Sequence, residues 1–151
     1  MLKLEAQDSN FEARVRTSFA RQKAMQTIGA SLTRVAPGEV EIQLPFRDDL
    51  TQQHGFLHGG IVTAIVDNAC GYASLSLMPV DAAVLTVEYK VNFVSPAIGE
   101  RIIARGRVIR PGSTVMVCAG DVFAFTDGNE KLVATMLATF MTLRDRADLT
   151  D

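Results

Sequence analysis

The chain contains no tryptophan, and aromatic residues make up only 7% of it, which leaves little from which to build a base-stacking platform. A surplus of one charge is also missing. Lysines and arginines number 15 against 17 aspartates and glutamates, and a net charge of −2 gives no reason to expect a polyanion partner. Cysteine is scarce: Cys70 and Cys118 sit inside apolar runs, with no second Cys or His at metal-ligand spacing. They read as small buried hydrophobes in a reducing compartment, so no disulfide framework, zinc site or other metal is expected. The first residues lack the basic-then-apolar order of a signal peptide. The most apolar stretch, 61–77, is interrupted by Asp67, Asn68 and small polar residues, and is too short and too polar to span a bilayer. These absences point to a soluble cytoplasmic protein with neither nucleic acid nor membrane as partner.

What is present fits one domain over 1–151. At 48% hydrophobic, the chain can bury a core of ordinary size, and no repeat, linker or low-complexity tract divides it. Ser9 and Glu12 have capping-box spacing, and Phe11, Val15 and Phe19 recur every four residues with Met25 roughly continuing the stripe, which predicts an amphipathic surface helix. A short run at 30–35, the turn Pro37-Gly38, and the alternation of Val40, Ile42 and Leu44 with polar residues predict two strands. After a polar loop, 61–77 is apolar on nearly every side, which predicts a central helix wrapped by other structure. Strands follow at 84–93, 101–110, 114–125 and 131–143, the last two joined by a hairpin loop at 126–130. Along the first of these, Leu85, Val87, Tyr89, Val91 and Phe93 fall on one face and Thr86, Glu88, Lys90 and Asn92 on the other. The arginines at 101, 105, 107 and 110 read as a solvated outer face, paired with Glu88 or Asp121. Residues 144–151 are charged and expected to fray.

This order predicts an α+β fold in which an antiparallel sheet of hairpin neighbours curls around one helix. Such a sheet leaves an exposed edge, and pairing of edges between two chains predicts a homodimer.

The chemistry concentrates where the central helix begins. Gly59-Gly60 stand at its N-terminus, where the first backbone amides have no intrahelical partner and glycine permits close approach. A carbonyl oxygen set against the Gly59 amide would meet an oxyanion site. Asp67 lies within the apolar helix, so it must be paired or line a cavity, where desolvation would make it a better general base. Thr63, Asp67, Gly71 and Ser74 form a narrow polar stripe that could line that cavity. Eight residues separate Gly59 from Asp67, roughly 12 Å along a helix, too far for both to act on one reacting centre. Two helices packed antiparallel across a two-fold axis would face Gly59 of one chain with Asp67 of the other.

The segment Gln52-Gln53-His54-Gly55-Phe56-Leu57-His58-Gly59-Gly60, followed by Ala64-Ile65-Val66-Asp67, resembles the signature of hot-dog-fold acyl-CoA thioesterases of the PaaI type. Thr86 to Phe93, with Ser95-Pro96-Ala97 and Gly99-Glu100, is similar to the next strand and loop of that family, and the likeness spans about 35–143. The resemblance implies an antiparallel sheet around a central helix, and hydrolysis of acyl-CoA with no cofactor beyond the coenzyme A of the substrate. It implies a homodimer or a dimer of dimers. It also implies catalytic roles: the Gly59 amide polarising the thioester carbonyl, Asp67 of the partner chain activating water or attacking directly, and Gln52, where relatives have Asn, placing a second group near the carbonyl. Thr86 would help hold the water, and His58 would order the loop and helix start. It implies coenzyme A contacts at Ser95, Pro96, Arg110, Gly112 and Ser113. The acyl end is expected in an apolar pocket around Ile65, Tyr72 and Leu85. A non-catalytic acyl-CoA sensor and a hot-dog dehydratase or hydratase stay open as alternatives, because a fold does not fix its function.

Overall fold

The computed structural model describes residues 3–151. Two N-terminal helices, α1 (Phe11–Arg21) and α2 (Lys23–Ile28), precede strands β1 (Ser31–Ala36) and β2 (Glu39–Pro45). The central helix α3 (Gly59–Leu75) comes next, then β3 (Ala83–Phe93), β4 (Arg101–Arg110), β5 (Val115–Thr126) and β6 (Asn129–Leu143). The sheet is antiparallel throughout, in the order β1-β2-β4-β5-β6-β3, and wraps α3 as the hydrophobic periodicity requires. No helix among the described residues is long and apolar enough to cross a membrane.

The seat of α3 is made of glycine. Gly106 on β4 and Gly120 on β5 face each other across the ladder. A Cβ on Gly106 would collide with the Ala69 and Cys70 backbone, and one on Gly120 would strike the Val66 and Cys70 side chains. The absence of side chains at this pair lets the helix lie directly on the sheet. Val62, Ile65, Val66, Ala69 and Cys70 are thereby buried against Ile42, Leu44, Ile102 and Phe140. The end of α3 is clamped by Arg14, whose guanidinium donates to the carbonyls of Leu75 (2.8 Å), Met78 (2.8 Å) and Pro79 (2.6 Å).

Five local expectations need correction. The Ser9–Glu12 capping box does not form: Asn10 holds the N-cap position, so Ser9 sits one residue too early, and Glu12 pairs with Arg16 instead. The helical stripe is cut at Gln22, whose extended backbone (ψ 102°) separates α1 from α2. β3 does not pair with β4, its neighbour in sequence; residues 94–100 carry the chain across, and β3 pairs with β6 at the edge. The ladder shifts between Thr86 and Glu88. This bulge at Val87 reverses the alternation and splits the face expected to run from Leu85 to Phe93. The C-terminal residues are tied down, since Asp151 accepts from the Val84 amide (2.7 Å) and the Thr150 carbonyl accepts from Arg21 (3.1 Å).

On the outer sheet face, Arg107 pairs with Asp121 (3.0 Å) as expected, while Arg105 pairs with Glu41 and Glu130. Glu88 takes no arginine and accepts from the Thr139 hydroxyl.

Candidate active site

The loop before α3 is fixed by its backbone. The His58 amide donates to the Leu50 carbonyl (2.9 Å), and the Leu57 amide to that of Ala97 (2.9 Å). His58 is the N-cap: its Nδ1 accepts from the Gly60 amide at 2.8 Å, and its carbonyl takes the amides of Ile61 and Val62. Those bonds satisfy three of the first amides and leave the Gly59 N–H without a partner among the described residues. The Phe93 ring lies over Gly59, close enough that an added Cβ would stand 3.0 Å from Cζ, so the position has room for glycine alone unless the ring moves.

Two turns along α3, Asp67 is half-buried. Burial pushes its carboxyl above the usual aspartate value, and the Thr86 hydroxyl, donating to Oδ1 at 3.0 Å, opposes that rise. Thr86 reaches Asp67 on the inner face of the sheet because of the bulge at Val87; simple alternation put it among outward polar residues. The polar stripe around Asp67 does not act as a unit. Thr63 turns back to the Gly59 carbonyl (2.8 Å), and Ser74 is fully buried and bonded to the Cys70 carbonyl (3.1 Å).

Three clefts meet at this helix. One of about 620 Å3 runs from His58 and Gly59 past Thr63 to Asp67, with Tyr89 and Phe93 as its other wall. A second, about 450 Å3, continues on the far side of Gly59 and Phe93 to Gln52, Ser95 and Pro96. A third, about 260 Å3, opens beyond Asp67 and Thr86 toward Tyr72 and Leu85. The Gln52 side-chain oxygen is held by the backbone amides of His54 and Phe56, and its amide nitrogen has no partner among the described residues.

The expected acyl pocket divides. Ile65 is fully buried in the core and lines none of these three clefts, because its side of α3 faces the sheet. Leu85 is exposed at the rim of the third cleft. Tyr72 lies beneath it, edge-on to Phe19 (5.8 Å between centroids), with its hydroxyl 3.2 Å from both Ser18 and Gln22. That polar company was absent from the apolar pocket expected, and nothing in the linear pattern joined Gln22, at a helix break, to a tyrosine so distant in sequence.

The expected coenzyme A residues also separate. The Val94 amide donates to the Val133 carbonyl, which sets Ser95 and Pro96 at one end of β3, whereas Ala83 at the other end pairs with Leu143. The turn carrying Arg110, Gly112 and Ser113 precedes Val115, which pairs with Met141, and so lies at this second end. Gly112 is required there because a Cβ would strike the Val115 carbonyl. No cluster of three or more His, Cys, Asp or Glu able to hold a metal ion occurs among the described residues.

Known proteins share this fold. The thioesterase superfamily profile matches residues 54–131. A thioesterase family protein from Silicibacter pomeroyi superposes with a TM-score of 0.87 at 53% identity, covering 89% of this chain and 98% of that one. Human acyl-coenzyme A thioesterase 13 is 30% identical over 69% of this chain and 73% of its own length. The PaaI protein of the phenylacetic acid degradation operon of E. coli, 16% identical, shares the fold with a TM-score of 0.80, covering 89% of this chain and 94% of its own.

Proposed function

The chain belongs to the thioesterase superfamily and has its hot-dog fold, and from that premise we propose that it hydrolyses acyl-CoA thioesters to coenzyme A and a carboxylic acid. The observation that carries this reading is the unpartnered Gly59 amide at the start of α3 with a half-buried carboxylate two turns along. The thioester oxygen would accept from Gly59 N–H, which stabilises the negative charge that develops on it. Asp67 of the partner subunit would take a proton from water as the water oxygen bonds to the carbonyl carbon. Collapse of the tetrahedral adduct breaks the C–S bond, and the proton on Asp67 passes to the departing sulfur. Gln52 would offer its free amide N–H to the same carbonyl, and Thr86 orients the Asp67 carboxylate. His58 holds the helix start in place.

The shared site rests on distance. Gly59 and Asp67 stand roughly 12 Å apart along one helix, so two chains must supply them. The edge of β3 is unpaired and presents Leu85, Val87, Tyr89 and Phe93, all exposed. Antiparallel pairing of two such edges would bring Ser95-Pro96 of one protomer beside the Arg110–Ser113 turn of the other, giving coenzyme A a composite binding surface. Both cysteines are free and buried, which suits the cytoplasm as compartment.

Release of free thiol from an acyl-CoA tests the proposal; binding without release would reassign the chain as a binding module. The pH profile offers a finer check. Activity needs Asp67 ionised, so kcat falls as pH drops through its pKa, which lies above the ordinary aspartate value. The Thr86 hydroxyl favours the charged carboxylate, so Thr86→Val raises that pKa and moves the acid limb of kcat to higher pH. A limb that stays put, or moves to lower pH, would contradict the assignment of Asp67 as base.

A further inference from the structure

Arg144 follows β6 at the end of the sheet where Ala83 pairs with Leu143, and donates to the Ser113 carbonyl (3.0 Å). That bond ties an exposed guanidinium to the turn between β4 and β5 and leaves its other N–H groups open. Of the eleven arginines, only Arg21, Arg110 and Arg144 lack a carboxylate partner among the described residues, and the last two meet at this turn. Arg110 shares a row with Val117, Thr139 and Glu88, which puts that acid roughly 14 Å away across three strand spacings. Asp145, next to Arg144, lines a separate cleft with Asp81 and Asp151.

Strand order decides what passes this pair. Inward from the free edge, this end of the sheet runs β3, β6, β5, β4, so Arg144 stands between the edge and Arg110. Antiparallel pairing of two edges sets Ser95-Pro96 of one protomer at the β3 margin of the other. Coenzyme A that leaves the thioester past Ser95-Pro96 therefore crosses the end of β6 before it reaches Arg110. Its phosphates come in a fixed order, the diphosphate nearer the pantetheine and the 3′-phosphate beyond it. Resting on the acyl-CoA reading above, we infer that Arg144 binds the coenzyme A diphosphate and leaves the 3′-phosphate to Arg110. Arg144 lies beyond the 54–131 stretch matched by the superfamily profile, so this contact comes from the chain's own flanking segment.

Three thioesters separate the phosphates: hexanoyl-CoA, hexanoyl-dephospho-CoA without the 3′-phosphate, and hexanoyl-pantetheine without any. Arg144→Gln should lower kcat/KM about tenfold for the first two, the effect of one lost charge-assisted hydrogen bond, and leave the third unchanged. Arg110→Gln should lower it for hexanoyl-CoA alone. If Arg144→Gln weakens hexanoyl-pantetheine as much as the others, the residue only braces the turn and the inference fails. If hexanoyl-dephospho-CoA is spared, the assignment to the diphosphate is wrong. If all three are unchanged, Arg144 binds no phosphate, while the thioesterase reading stands. If no acyl-CoA releases thiol with the native protein, that reading falls and the inference with it.

Discussion

Asp67→Asn lowers kcat for acyl-CoA hydrolysis by at least ~10²-fold, the lower range of what a positioned general base supplies. The substitution keeps the shape of the side chain and an oxygen that can still accept from Thr86 Oγ1, now 3.0 Å away, so the fold and the site survive. What disappears is the group that can take a proton from water. KM changes little, because the carboxylate acts on the water and binds no part of coenzyme A. Steady-state kinetics on a variant shown by circular dichroism and gel filtration to be folded and associated like the native protein make the check. Turnover within a few-fold of native would remove Asp67 from the chemistry.

The second large effect is on stability. Gly106→Val destabilises the protein by about 3 kcal/mol or more, at or beyond the usual range for overpacking. Ordinary overpacking pushes one flexible side chain against another. Here the new Cβ meets the backbone of α3 at Ala69 and Cys70, and Gly120 directly opposite cannot yield space because Val66 and Cys70 already fill it. The helix would have to lift off the sheet, which also displaces Asp67, two residues before Ala69. Denaturant unfolding measures the loss, and a change below about 1 kcal/mol would show that the helix does not rest on this glycine pair.

Much of this architecture was legible in the sequence because it depends on near neighbours. The all-round apolar run of α3, the glycines at its start and the lone Asp67 inside it are local facts; they located the helix and singled out Gly59 and Asp67 as candidates for the chemistry. The hairpin between β5 and β6 was likewise announced by its residues, although the loop expected over 126–130 closes as a two-residue turn at Asp127-Gly128, both with positive φ (50° and 77°). Apart from the helix cap placed one residue early and the break at Gln22, the failures involve non-local choices. Alternation along 84–93 has no means of signalling the bulge at Val87, which is set by the register against β6 and alone turns Thr86 toward Asp67. Nor does a short connection reveal that β3 passes over β4 to join β6. Tyr72 looked apolar because helix periodicity counts a tyrosine as core, while its hydroxyl partners, Ser18 and Gln22, come from α1 and its junction with α2.

The central claim is that one working site needs two chains, and a paired-variant experiment decides it. Asp67→Asn removes the base, and Gly59→Val pushes a side chain against Phe93 and obstructs the amide, so each homodimer is expected to be inactive. A heterodimer of the two, purified through different tags after co-expression, joins the intact Gly59 of one chain to the intact Asp67 of the other. It should recover about half the native activity per dimer, one restored site of two. A heterodimer as inactive as its parents would contradict the shared site.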